Sequence, residues 1–197
     1  MAWLTVGLLA AAWFVIRAGH RHRMWYVVGG FLGPLFIPIV AERGRADAAV
    51  VEVAQGPPSG PGTGLKVAVG VDGSPDSDRA LRTIARALTG TASELVLITV
   101  TSPDAVGVDV GVEQRAARRT LDERADALPD QLPPPTTEIL RGHPVDALLA
   151  AAESHDVDLL VVGRHGHGVR ERLLGSVAEE LARRSSRALL LGGLPDR

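Results

Sequence analysis

A chain of 197 residues with 21 basic and 23 acidic side chains, a formal charge of −2, has room for one ordinary domain with a remainder, and too little positive charge to grip nucleic acid by its phosphates. The absence of cysteine excludes disulfides, thiolate nucleophiles and cysteine-ligated metals. The single lysine, Lys66, leaves none for a P-loop or a Schiff base, so any phosphate contact must come from arginine, hydroxyl or backbone N–H.

The remainder is the N-terminus. Trp3 to Ile16 is polar only at Thr5, Met24 to Val40 carries no charge, and Arg17, Arg21 and Arg23 lie between the two runs. As helices they would reach about 21 and 25 Å, a little under a hydrocarbon core of roughly 30 Å. Trp3, Trp13, Trp25 and Tyr26 stand near the segment ends, where amphipathic rings favour the membrane interface. The expectation is an α-helical transmembrane hairpin over residues 1–41, attaching the chain to a membrane through residues 1–40. Buried core helices are the alternative, and Gly29, Gly30, Gly33, Pro34 and Pro38 would also suit a re-entrant hairpin. The missing positive n-region argues against a cleaved signal peptide. Residues 42–64 are predicted to be a linker, ending in Gly56-Pro57-Pro58-Ser59-Gly60-Pro61-Gly62-Thr63-Gly64. A nine-residue coil spans about 15 to 18 Å, so the C-terminal part of the chain is tethered closely.

Strand and helix patterns then alternate, which predicts an α/β domain over residues 65–193 with helices covering a parallel sheet. Lys66–Val71 and Leu95–Val100 are strand runs, and Ala80, Leu81, Ile84, Ala85 and Leu88 give the segment between them one apolar face. Ser74 is placed to cap that helix, with Pro75 in its first turn. A second helix is predicted from about Val112 to Leu128, ended by Pro133-Pro134-Pro135. Next come a strand at Thr137–Leu140, a helix with Val145, Leu148, Leu149 and Ala152 inward, a strand at Val157–Val162, a helix from Ser176 to about Arg184, and a strand at Arg187–Leu191. His143, before Pro144, is expected to be a local cap.

The motif with chemical content is Val161-Val162-Gly163-Arg164-His165-Gly166, followed by Gly175-Ser176-Val177-Ala178-Glu179. An apolar strand ends in a glycine-punctuated turn, and another glycine opens a helix, the layout of a strand feeding an anion-binding helix N-terminus. Ser176 and Glu179 also fit a capping box, which needs no ligand. Arg164, Arg170 and Arg172 are candidates to neutralise phosphate or to form a solvated loop face. His165 and His167 are a weak metal signal without helical spacing or cysteine and are expected to be exposed loop residues touching phosphate or solvent, so no metal ligand and no catalytic residue is assigned.

With Val67-Ala68-Val69-Gly70-Val71-Asp72-Gly73-Ser74, this segment resembles the nucleotide-binding signature of the universal stress protein (UspA) family. The usual signature puts nine residues between the second glycine and Gly-Ser; here eight separate Gly166 from Gly175. The resemblance implies a doubly wound, Rossmann-like five-stranded parallel sheet of order 3-2-1-4-5, with the ligand in the crevice where the order reverses. It implies ATP or AMP, with or without magnesium, held by Asp72, Gly73, Val100, Gly163, Arg164, Gly166, Gly175, Ser176 and Val177. Asp72 would lie near the adenine or else cap its own turn; Val100 would read the adenine edge through its backbone or else be core. It also implies a homodimer through the last strand. The function expected is a membrane-tethered sensor facing the cytoplasm, binding nucleotide without catalysis or with weak hydrolysis. The alternative is a dimeric interaction module without nucleotide.

Overall fold

The computed structural model describes residues 49–54, 63–103, 108–166 and 174–193. Contacts divide the chain into Met1–Ala46 and Asp47–Arg197, and all the described residues belong to the second unit. The expected hairpin, 1–41, lies outside them; among the described residues no helix is long and apolar enough to cross a membrane.

The elements in chain order are β1 (Ala49–Ala54), β2 (Leu65–Gly70), α1 (Pro75–Ala87), β3 (Ala92–Thr101), α2 (Val108–Asp126), β4 (Thr136–Arg141), α3 (Pro144–Ser154), β5 (Leu159–Gly163), α4 (Ser176–Arg184) and β6 (Ala188–Gly192). They build a six-stranded sheet of order β1-β4-β3-β2-β5-β6. From β4 to β6 every neighbouring pair is parallel, and this run of five has the expected order. The expectation of five strands is corrected at one edge. Residues 49–54, assigned from sequence to the linker, form a sixth strand antiparallel to β4, with a register irregularity between Val50 and Glu52.

That strand escapes a periodicity search for a physical reason. It is an edge strand with Val50 62% and Val53 43% exposed, so it has no buried face to impose alternation. The side chain that turns inward is charged: Glu52 accepts from Gln114 at 3.2 Å and pairs with Arg118 at 2.6 Å on α2.

The central strands do alternate. Val67, Val69, Leu95, Leu97, Ile139 and Val161 face α1 and α2, packing on Ala80, Leu81, Ile84 and Leu121. Their neighbours Ala68, Val96, Ile98, Leu140, Leu160 and Val162 face Val145, Leu148 and Ala152 of α3 and Leu181 of α4. Each face of the sheet therefore has its own core, as a doubly wound fold requires. The two helices of the first face are joined by Arg124, which grips both carboxylate oxygens of Asp78 at 3.0 and 3.1 Å. This hydrogen-bonded carboxylate raises the Arg124 pKa above the ordinary arginine value.

Helix starts decide where the loops lie. Ser74 caps α1 as expected, its Oγ accepting from Ser77 N at 3.2 Å, and Pro75 occupies the first turn. α2 begins at Val108, four residues ahead of expectation. His143 occupies the N-cap position of α3 but makes no side-chain cap hydrogen bond, which corrects its expected capping role. The capping box is also corrected: the N-cap of α4 is Gly175, with Ser176 as its first helical residue and no side-chain cap bond.

Candidate functional site

In this topology the chain runs from β2 outward through β3 and β4, then crosses to β5 and β6 on the other side. The carboxyl ends of β2 and β5 therefore diverge into loops on opposite faces, leaving a crevice between them. The loop after β2 is Val71-Asp72-Gly73-Ser74, and the turn after β5 is Gly163-Arg164-His165-Gly166.

The first loop folds on itself. Gly73 takes φ +75°, a conformation that side chains with a Cβ rarely adopt, and Asp72 Oδ1 accepts from Ser74 N at 2.9 Å. Val71 N donates to Ile98 O at 2.7 Å, and Thr99 Oγ1 donates to Val71 O at 2.7 Å. The local role expected of Asp72 is thus present, and it uses one carboxylate oxygen. The other oxygen faces the second motif: a Cβ built on Gly166 would stand 2.7 Å from Asp72 Oδ2.

The β5 turn is held from three sides. Arg164 N donates to Gly192 O at the end of β6, at 2.7 Å, and Gly175 N donates to Arg164 O at 2.8 Å. Gly163 lies against the start of α1, where a Cβ would come within 2.7 Å of Ser77 N. Ser74 Oγ donates to His165 O at 3.2 Å, and His165 Nδ1 lies 2.8 Å from Asp76 Oδ2. The N-terminus of α4 is fastened to the turn through Gly175, so Ser176 and Val177 lie at the same place. Ser176 is exposed and Val177 packs against the second core.

Asp72, Gly166, Arg164 and Gly175 are therefore brought together by direct contacts, with Gly73 and Gly163 their neighbours in the chain. Val100 is not joined to them directly. It pairs with Leu140 near the end of β3 and its side chain packs on the second core; the link to the β2 loop runs through Ile98 and Thr99. His167, Arg170 and Arg172 lie outside the described residues. Sequence reasoning missed Asp76 and Thr99, because residues 89 and 28 positions from their partners leave no periodic signal. Among the described residues no group of three His, Asp or Glu side chains is arranged to hold a metal ion.

The arrangement offers backbone N–H groups at a helix start beside a carboxylate where the strand order reverses, which suits a polar ligand carrying an anionic group. The model of the Universal stress protein family matches residues 65–191. Among solved structures, the chain is similar to a universal stress protein in complex with cAMP, at 31% identity and TM-score 0.55, over 66% of this chain and 98% of that one. It is similar to the universal stress protein UspA from Lactobacillus plantarum at 18% identity and TM-score 0.59, over 66% and 97% of the two chains. A third similar structure is a protein from the universal stress protein family from Burkholderia pseudomallei, at 23% identity and TM-score 0.53, over 69% and 100%. The last two likenesses are of fold alone. The sequence matches no curated protein.

Proposed function

The chain belongs to the universal stress protein family over residues 65–191, and from that membership we propose that its domain binds an adenine nucleotide, ATP or AMP, in the crevice between β2 and β5. One observation carries the reading: the two loops implicated independently by their glycines are in contact, Gly166 against the Asp72 carboxylate and Ser74 Oγ bonded to His165 O. The complex of a 31% identical universal stress protein with cAMP supports the ligand class. In this reading the phosphate sits at the start of α4 against the N–H groups of Ser176 and Val177, where the helix dipole favours negative charge. Gly163 and Gly175 let the β5 turn pack closely against the starts of α1 and α4, Gly166 and Arg164 border the phosphate, and Asp72 with Gly73 borders the nucleoside. The backbone of Val100 meets the adenine edge. Magnesium would accompany a triphosphate, with Asp72 a carboxylate bordering the site.

The role is that of a sensor rather than an enzyme. Ser74 is 1% exposed, its hydroxyl donates to the carbonyl of His165, not to the ring, and accepts from Ser77 N. It is therefore engaged in structure and not paired with a base as a nucleophile would be. The domain acts as a homodimer through β6, the edge strand opposite β1, and is tethered to the membrane by residues 1–40 with the domain in the cytoplasm, where ATP is available.

The test is calorimetry on the purified full chain with ATP, AMP and a control without the base. Saturable heat with the adenine nucleotides alone supports the reading; no heat at millimolar ligand rejects it. In that event the second reading, a dimeric interaction module, takes its place, favoured by the eight-residue spacing between Gly166 and Gly175.

A further inference from the structure

Exposed apolar surface gathers at one corner of the domain. Val50, Val51 and Val53 on β1 and Val112 in the second turn of α2, itself 53% exposed, are four of the five large apolar side chains exposed among the described residues. The fifth, Leu65, opens β2 at the other end of the strands. β1 and α2 adjoin, because Glu52 accepts from Gln114 and pairs with Arg118. Val112, Arg115, Ala116 and Arg119 stand three and four residues apart on the helix and so share one stripe, and all four are exposed.

The charge on this stripe is not neutralised. Arg118 is paired with Glu52 and Arg124 with Asp78, whereas Arg115 and Arg119 form no ion pair among the described residues. The acidic groups nearby are engaged elsewhere: Glu52 and Asp122 face Arg118, and Glu113 accepts from Ser102 N at 2.8 Å. Valines beside two unpaired guanidinium groups suit a surface that is apolar beneath and anionic on top.

The chain also enters at this corner. β1 runs antiparallel to β4, so Ala49 stands beside Arg141 at the carboxyl end of β4, the end of the sheet from which β3 leads into α2. Only residues 41–48 separate Ala49 from Val40, where the uncharged run from Met24 ends. Fully extended, that segment spans at most about 30 Å. Resting on the membrane tether proposed above, we propose that β1 and the first half of α2 form a docking surface for a bilayer carrying anionic lipid. The valines meet the headgroup boundary, and Arg115 and Arg119 meet lipid phosphates. So short a tether gives an effective concentration in the millimolar range, which populates a contact too weak to form between separate molecules. The contact is shallow, because the outer backbone groups of an edge strand favour hydrated headgroups over hydrocarbon.

The test uses the full chain reconstituted in phosphatidylcholine vesicles with and without phosphatidylserine. Because the chain has no cysteine, Val50→Cys, Val112→Cys and, as a control, Ala87→Cys at the exposed end of α1 each place a single dye. A lipid-borne headgroup spin label should quench the dyes at 50 and 112 and spare the one at 87. Quenching should rise with phosphatidylserine and fall in high salt, and Arg115→Gln and Arg119→Gln should each weaken docking about fivefold. In the unlabelled native chain, hydrogen exchange of the β1 amides should slow when phosphatidylserine is present, a readout that requires no variant to fold. Equal quenching at the three positions, or dyes and amides indifferent to phosphatidylserine, overturns the proposal even though the chain floats with the vesicles. Dyes at 50 and 112 that are shielded from water yet unquenched by lipid overturn it too. A second copy then covers the corner if shielding grows with protein density, and another segment of the same chain if it does not. If the chain does not float with the vesicles, the tether reading itself falls, and this proposal with it.

Discussion

Two glycines three residues apart serve different ends. A Cβ on Gly163 would meet backbone, Ser77 N at 2.7 Å and Asp76 C at 3.0 Å, neither of which can yield without moving α1 from the sheet. A Cβ on Gly166 would meet only the end of the Asp72 side chain at 2.7 Å, which can swing away. Gly163→Ala should therefore cost about 1–3 kcal/mol of stability, read as a lower urea midpoint at unchanged slope. Gly166→Ala should leave the midpoint within about 0.5 kcal/mol and instead weaken nucleotide binding, since Asp72 is displaced from the crevice. Equal midpoints for the two variants would refute this account of the turn. Gly175→Val places a branched side chain 3.1 Å from Arg164 O, so the β5 turn must shift away from the start of α4. Its φ of −69° suits any residue, so helix content by circular dichroism should hold while nucleotide heat disappears.

At the scale of elements, β1 ties the chain preceding the domain to the outside of β4, and Glu52 ties it again to Arg118 on α2. Residues 49–54, which composition assigns to the linker, are accordingly part of the sheet. A chain starting at Thr63 should fold, because both cores lie wholly within residues 65–191. Its β4 amides that had faced β1 should exchange hydrogen faster, while those of β2 and β5, at the sheet centre, keep their protection. Unchanged exchange in β4 would show that β1 contributes nothing in solution. The cap of α1 was legible because Ser74 and Pro75 are local signals. The start of α4 was not, because a bond from Gly175 N to a carbonyl eleven residues back moves the cap one residue ahead of the serine.

For the whole molecule, β6 ends the sheet opposite β1, with Ala188 exposed and Leu190 packed on the first core. The proposed dimer should therefore be probed at Ala188: Ala188→Asp should shift sedimentation toward monomer without disturbing the core. A native chain that sediments as monomer at all concentrations rejects the dimer. If residues 1–40 are the anchor proposed, the full chain should stay in the membrane pellet through a high-salt wash, and the chain starting at Thr63 should remain in the supernatant. Protease added to intact cells should then spare residues 55–62; cleavage there would reverse the proposed orientation.

The sequence alone determined the elements whose code is local. Buried strands alternate between two cores, helices show an apolar stripe, and glycines mark the turns at the ends of β2 and β5, so five strands, four helices and the two loops of the crevice were readable in order. Only the tertiary structure decided what depends on distance along the chain. An exposed edge strand takes its conformation from the partner it pairs with, so β1 is specified by β4 and α2 rather than by its own pattern. The carboxylate that orients His165 stands 89 residues before it, and only the crossing of the chain from β4 to β5 brings the two within a hydrogen bond.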